Sequence, residues 1–595
     1  MRFPIQARRT LLFAAIALGA GLSVVAALSW PLGLHLRTWH LLSPFGDSHV
    51  WVFDWVARTL ASGEFPIETY EIGYPETRRV RLIGWVPALV SVPLRPLLGP
   101  LGAANVIQLL SLPVSSLVAA FWIRRRTGVD AWTSAALGLA FGLGPTALST
   151  FGIQEISNTQ VWIVPAFLLA LEAADRRAAA LPLLFFVSLA ASFTSPYFAL
   201  ALPLLAGAWA VWRVGFPRAP APGAPKPQRE GGSVPPHSPL RRLSRRLLHP
   251  ALVLAVIAAA LLPARGYYDP LATEGNLGAF RPARRAEIQD PLPFPPPVAR
   301  PDALVAGTDP APSRPGESHH VCYLGAVLLA ALGVLALVRR PAGAGRRGAW
   351  EGLGLLAGGI LLAMGPFLAW GDHLVRIGDA RIALPVWLLE EAGYPTRLGG
   401  LYFRYAVVAE AGLVLLLGSL LAGRRRAALL AWGLLVLHVA DGIRATGPMW
   451  PRPGEEVPGL ADLETLRGSD GAVLELPLQA DTNSMLGQGG MLRAAFHGRP
   501  TTSLARDVQN ARSTLRTLVH DPPGPRALPR KLSHHGFRYV VIPRAEAHAL
   551  DAQERHFLGL LGTPWRDGAL TIWDLGPTRI HPEPPAAGRT RPTER

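Results

Sequence analysis

Apolar runs of bilayer-crossing length, separated by clusters of arginine, constrain this chain more than any other feature of its sequence. They lie near residues 11–30, 103–123, 132–150, 159–173, 179–194, 196–212, 249–264, 321–338, 352–370, 402–422 and 428–446. Runs of this kind, roughly 17–25 residues long, can cross the hydrocarbon core as helices. The 179–212 block is one apolar run, divided at Thr194, Ser195 and Pro196. The expected fold is therefore a polytopic α-helical membrane protein of about eleven transmembrane helices. Composition agrees: mean hydropathy is +0.26 and only 17% of residues are charged, against about a quarter in soluble domains.

Short cytoplasmic loops collect Lys and Arg, so the clusters should share one side of the membrane. They are Arg8-Arg9, Arg124 to Arg126, Arg176-Arg177, Arg213 to Arg246, Arg339 to Arg347 and Arg424 to Arg426. Eleven spans with a cytoplasmic N-terminus put every cluster inside. The first run follows Arg2, Arg8 and Arg9 without a convincing small-residue cleavage site, and reads as an uncleaved anchor. Residues 82–98 are apolar too. Counting them as a span would invert everything downstream, and Pro87, Pro93 and Pro96 oppose a clean helix. They are placed as an interfacial or re-entrant part of the first external loop. The net charge of +17 thus belongs to the membrane topology, and no nucleic-acid partner is expected.

The same count sets the domain expectations. A transmembrane domain covers 1–446, with a first external loop over 31–102 carrying juxtamembrane helices and a second over 265–320. Residues 213–248 form a Pro-rich cytoplasmic linker, with eight Lys or Arg and one acidic residue, Glu230; such a segment buries little and is expected to be disordered. The remainder, 447–595, is expected to be a small extracytoplasmic α/β domain. Its strand-like runs are Ala472 to Leu476, Tyr539 to Ile542 and Leu570 to Trp573, and a helical spacing runs from about Ala545 to Leu561.

Carboxylates close to the membrane are the informative groups. Asp47 and Asp54, in the stretch Phe45 to Trp55, are two helical turns apart and can face one way, with His49 near but off that stripe. Asp47 is equally well placed to cap a helix, and the two roles are compatible. The single cysteine, Cys322, excludes a disulfide framework and a cysteine zinc site. No Walker-type phosphate loop and no nucleophile-elbow serine is present. His319-His320 and His534-His535 are adjacent pairs whose side chains diverge, and read as surface histidines.

The arrangement resembles the GT-C class of membrane glycosyltransferases and bacterial membrane proteins sharing its plan. The residues that carry the likeness are Gly46-Asp47 through Trp55, Gly63-Glu64-Phe65-Pro66, Gly73-Tyr74-Pro75, Cys322-Tyr323-Leu324-Gly325 and Arg397 to Arg404. Leu474-Glu475-Leu476-Pro477 and Gly536 to Val541 in the tail are similar to segments of such proteins. The resemblance implies sugar transfer from a polyprenyl-phosphate-linked donor to an unknown glycan, lipid or protein acceptor, on the outer face of a bacterial inner membrane. It implies Asp47 as general base and Glu155 as the later acidic group, while Asp54 departs from the familiar pattern. Arg78, Arg79, Arg81 and Arg404 become candidate ligands of the donor phosphate. A solvated Glu155 and interfacial, snorkelling arginines fit the same residues. No metal-ligand spacing is visible and no cofactor is assigned, although a divalent metal is compatible with the class. Two other readings stay open: a non-catalytic carrier or scaffold for lipid-linked glycans, and a secondary transporter. The last is disfavoured because few acidic residues, chiefly Glu410 and Asp441, fall inside helices.

Overall fold

The structure, a computed structural model, describes residues 5–41, 46–66, 68–69, 71–72, 74, 80–81, 84–151, 159–215, 247–263, 290, 292, 298–306, 323–338, 344–394, 402–446, 454–478, 486–502 and 514–577. Helices fall on the apolar stretches. They are α1 (Ile5–Leu28), α2 (Gly46–Ala61), α3 (Trp85–Ser91), α4 (Arg95–Thr127), α5 (Ala131–Gly142), α6 (Pro145–Thr150) and α7 (Ile163–Arg176). There follow α8 (Leu181–Thr194), α9 (Pro196–Gly215), α10 (Leu247–Pro263), α11 (Ala326–Val338), α12 (Ala344–Ala363), α13 (Ala406–Leu421) and α14 (Ala427–Thr446). Among the described residues, four helical segments are long and apolar enough to cross a membrane: Arg95–Thr127, Tyr197–Val214, Tyr402–Leu421 and Ala427–Ala445.

Several boundaries differ from the sequence expectation, each for a local reason. The run 132–150 is two helices, because Gly144 is extended and Pro145 starts a new helix whose ring could not continue the old one. The run 352–370 is helical only to Ala363, where Gly365 turns the chain at φ +69° ahead of Pro366. Residues 82–98 do not form one continuous helix. They contribute α3 and the first residues of α4, which is broken at Gly99 (φ +73°) before Pro100.

Helix α13 is buried at every residue but the half-buried Leu416, as an all-round apolar helix must be when it lies inside a bundle. Its approach to α12 is limited only by backbone. A Cβ added at Gly412 would lie 2.3 Å from the Leu356 amide nitrogen, and one at Gly359 would lie 2.2 Å from that of Ala409. Small residues at such crossings let helices exchange dispersion contact where no hydrophobic drive separates protein from lipid.

The tail contains a four-stranded sheet. Strand β3 (Ala472–Glu475) lies parallel to β4 (Phe537–Pro543), which pairs antiparallel with β6 (Leu570–Asp574), and β6 with β5 (Arg566–Asp567). All three expected strand runs are strands here. The helix expected from Ala545 instead begins at Ala552 (α16, Ala552–Leu561), after a 3-10 turn over Arg544–Ala549. Asp551 starts it, accepting from the Glu554 amide while Glu554 reaches back, a reciprocal cap that competes successfully with helix upstream.

The first loop and the tail share one core. Trp51, Phe53 and Val56 of α2 and Leu101 of α4 pack in the same cluster as Val473, Val541 and Ile572 of the sheet and Met491 of α15 (Leu486–His497). Main chain joins them too. β1 (Trp39–Leu41) pairs antiparallel with β2 (Gly454–Glu456), Thr501 N donates to Glu71 O at 2.7 Å, and Tyr74 N donates to Thr501 O at 3.0 Å.

Candidate active site

Helix α2 holds the leading candidate base at its start and a charged anchor two turns later. Asp47 is in its first turn, where free backbone N–H groups favour an anion. From His49 to Ala57 every residue of α2 is buried, because α3 and α4 cover one side and α15 the other. A helix so enclosed cannot rotate or slide without breaking both packings. The chain leading into it is tied as well: Asn105 of α4 donates through Nδ2 to Leu36 O at 2.9 Å and Trp39 O at 2.7 Å.

Asp54, proposed from spacing as a second reactive carboxylate, is committed elsewhere. It is fully buried; Oδ1 accepts from Arg95 Nε at 2.7 Å, and Oδ2 from Arg58 Nε at 2.7 Å. Arg58 continues to Glu71 through two bonds, of 3.1 and 2.7 Å. Both oxygens are occupied by guanidinium donors, so neither is offered to an acceptor hydroxyl. The group joins α2 to α4 and to the strand-forming segment around Glu71.

On the other side of the tail core, Glu475 of β3 plays a similar part. Arg493 of α15 donates to Oε2 through Nε (3.0 Å) and Nη2 (2.8 Å), and Thr501 Oγ1 donates to Oε1 at 3.2 Å. Burial pushes the Glu475 carboxyl up, but Arg493 and His497 outweigh it and hold it at about 2. For His497 the balance is reversed: burial lowers the imidazole, more than Glu475 raises it. Through α15 this cluster fixes the surface on which α2 rests.

Arg404 is a described cation with a donor to spare. It lies in a 3-10 turn, Tyr402–Tyr405, that leads into α13, and its guanidinium sits 4.4 Å from the centre of the Tyr197 ring at the start of α9. Its Nε is buried without a hydrogen-bond partner. Tyr197 in turn meets Tyr405 edge to face at 6.1 Å, and Tyr394 donates to Leu200 O at 2.5 Å. A cation stacked on an aromatic face, with a donor unused, is a ready ligand for an anionic oxygen.

Of the other candidates, Arg78, Arg79 and Glu155, and the side chains of Asp47 and Arg81, lie outside the described residues. Glu155 falls in the sequence between buried Phe151 and Thr159, and α6, just before Phe151, packs on α13 and α14. A Cβ on Gly144, at the head of α6, would strike Glu410 of α13. Glu410 follows Arg404 by six residues, roughly 9 Å of helical rise, so the head of α6 meets α13 in the half that carries Arg404. Sequence reasoning missed Arg58, Arg95, Glu71 and Tyr197. Arg58 had a signal, the i,i+4 spacing from Asp54; the others come together only through tertiary contact. Among the described residues no group of three or more His, Cys, Asp or Glu is placed to hold a metal ion.

No protein-family description matches the chain, and no curated protein sequence does. Solved structures do align. The apo oligosaccharyltransferase of Archaeoglobus fulgidus matches at 11% identity and TM-score 0.44, over 89% of this chain and 69% of that one. Oligosaccharyltransferase AglB of the same organism, in complex with an inhibitory peptide and a dolichol-phosphate, matches at 11% identity and TM-score 0.43, over 90% and 69%. Apo ArnT from Cupriavidus metallidurans matches at 14% identity and TM-score 0.43, over 98% of this chain and 100% of that one.

Proposed function

We propose that this chain is a membrane-embedded glycosyltransferase of GT-C plan, moving a sugar from a polyprenyl-phosphate donor to an acceptor at the membrane face opposite the arginine clusters. The proposal includes the division into a transmembrane part, 1–446, and an extracytoplasmic tail, 447–595. The observation that carries it is Arg404: a partly buried guanidinium, stacked on Tyr197 with Nε unpaired, set where a helix bundle meets its loops.

In the proposed step, an acceptor hydroxyl loses its proton to the Asp47 carboxylate as its oxygen forms a bond to the anomeric carbon. The bond from that carbon to the donor phosphate oxygen breaks, and its electron pair leaves with the lipid phosphate. Arg404, with Arg78, Arg79 and Arg81 as further candidates, neutralises the departing phosphate; Glu155 is the second acidic group. Asp54 takes no proton and keeps α2 in register.

The test is transfer from defined polyprenyl-phosphate sugars by purified protein, comparing wild type with Asp47→Asn and Asp47→Ala. Loss of a base lowers the rate on the order of 10²–10⁴-fold. Asn is nearly isosteric and caps a helix as well as Asp does, so a pure cap predicts little loss in Asp47→Asn. Full activity there would assign Asp47 to capping. Donor binding lost in Arg404→Ala, with no transfer by wild type for any acceptor offered, would favour the carrier reading, which the commitment of Asp54 to structure also fits.

A further inference from the structure

At the arginine-rich ends of the bundle, α4, α7, α9 and α12 enclose a cavity of about 260 Å3. It lies far from the proposed site. A Cβ on Gly348, in the turn of α12 that carries Arg347, would lie 2.6 Å from Ser419 Oγ of α13. Ser419 follows Arg404 by fifteen residues, roughly 22 Å of helical rise. Four tryptophans line the cavity, Trp122, Trp209, Trp212 and Trp350, with leucines including Leu168 and Leu205 on the wall between them. Tryptophan concentrates where a bilayer meets water, and so do arginines on the cytoplasmic side. The volume falls below the roughly 300–1,000 Å3 that encloses a whole drug-sized ligand. It suits the head of an amphiphile whose chains remain in the bilayer.

The charged groups of this wall carry a surplus of cations. Arg126 Nη2 and Arg347 Nε both reach a single oxygen, Glu351 Oε1, the second at 3.2 Å. Arg126 also lies 3.4 Å from Glu172 Oε2, while Glu172 Oε1 receives Arg125 and Arg176. Arg213 Nε donates to Asp175 Oδ1 at 2.9 Å. Among the described residues this network sets five guanidiniums against three carboxylates, an excess of two positive charges. Asp130, the next acid along the chain from α4, is turned instead to the amides of Trp132 and Thr133 at the head of α5. The pairs hold the four helix ends around the space without neutralising it. Of these five, Arg126 and Arg347 belong to the lining. Because they share one carboxylate oxygen and a guanidinium has five N–H donors, most of their donors remain for a further acceptor.

We propose that this cavity binds the headgroup of an anionic phospholipid. Its phosphate bridges Arg126 and Arg347, its glycerol lies among the tryptophans, and the upper part of one chain follows the leucine wall. Paired guanidiniums match phosphate oxygens in geometry as well as charge, and basic pockets between helix ends on the cytoplasmic side are where such heads are held. An ethanolamine or choline head offers the same phosphate but adds an ammonium, which the surplus of cations repels. The site rests on reading the chain as membrane-spanning. It is independent of the transfer chemistry, and its assay requires no turnover.

Full-length protein, purified with delipidating detergent, would be titrated with phosphatidylglycerol, phosphatidylethanolamine and phosphatidylcholine of identical chains, read by native mass spectrometry. Wild type is expected to favour the glycerol lipid over both others about fivefold or more, and Arg347→Gln to cut that preference below about twofold, the scale of one basic residue at an anionic membrane surface. Arg425→Gln removes an exposed charge from the same end of the bundle outside the lining, and is expected to leave the preference unchanged. Ala208→Trp, which fills the cavity from its exposed rim, is expected to remove tight binding of all three lipids. Glycerophosphoglycerol, the same head without chains, is expected not to displace the lipid at equal concentration. Equal binding of the three lipids by wild type would overturn the proposal. So would an equal loss of preference in Arg347→Gln and Arg425→Gln, which would mean attraction to the basic rim as a whole, or displacement by the chainless head, which would make a soluble phosphate ester the ligand. If Ala208→Trp does not fold, as judged by its unfolding temperature, Leu205→Trp takes its place; unchanged binding of the glycerol lipid in a folded filled variant refutes the site.

Discussion

Replacing Asp54 with Asn separates the two roles that its position on α2 suggests. In the structure Oδ1 meets Arg95 and Oδ2 meets Arg58, both at 2.7 Å, and the aspartate is fully buried. Asparagine keeps the shape. Its oxygen can still accept from one guanidinium, but its NH2 then faces the donors of the other, and the negative charge between two cations is gone. Breaking a buried pair by removing one partner costs about 3–5 kcal/mol. Two facts place the present case at the low end. Arg58 keeps its two bonds to Glu71, and the side chains of Arg58 and Arg95 are 26% and 24% exposed, so water takes up part of the lost interaction. The expected loss is about 3 kcal/mol. A double-mutant cycle with Arg95→Met, followed by denaturant titration of the purified protein, should give a coupling of at least about 1 kcal/mol, since residues in one ion-pair network are not additive. Transfer activity per folded molecule should stay within a few-fold of wild type. Coupling indistinguishable from zero would refute the anchor. A stable Asp54→Asn protein with its rate reduced a hundredfold or more would make Asp54 the base and displace Asp47 from that role.

The remaining predictions concern separate parts of the chain. Arg404→Lys keeps the charge but loses the flat fork and its stacking on Tyr197. KM for the lipid-linked donor should rise about tenfold or more with little change in unfolding temperature, and an unchanged KM in Arg404→Ala would remove Arg404 from the phosphate site. Glu475, held at about 2 in the folded chain against a usual 4.5, contributes stability that is complete above pH 4.5 and is lost as pH falls toward 2. That contribution is about 3 kcal/mol, of which about 2 is gone by pH 3, and Glu475→Gln should lack this part of the acid profile. An identical acid profile in the variant would show that Glu475 does not control it. A topology reporter fused after Pro451 should behave as extracytoplasmic, and one placed in 213–248 as cytoplasmic. The opposite result for either would invert the sidedness argued from the arginine clusters.

Local rules make much of this protein legible in its sequence. Apolar runs mark the helices because a membrane-length segment leaves its backbone no partner but itself. The strands around Val473, Val541 and Ile572 follow from β-branched residues between turn signals. Breaks at Gly144-Pro145 and at Gly365-Pro366 were written in the sequence as well, though a window scored for hydropathy passes over them. Asp54 with Arg58 was visible as an i,i+4 pair.

What the sequence could not decide was which distant groups meet. Arg95 lies 41 residues from Asp54, Glu475 is 18 from Arg493, and Tyr197 is more than 200 from Arg404. No periodicity encodes these encounters, because each depends on how separate helices and loops close around a common core. That closure joins the first loop to the tail through α2, α15 and the backbone of Thr501. It also changes the meaning of a residue: spacing presents Asp54 and Asp47 as equivalent carboxylates on one stripe, and burial between two arginines makes one of them structural. Chemistry is read from residue type, but availability is set by what already occupies each oxygen, and only the tertiary structure assigns that.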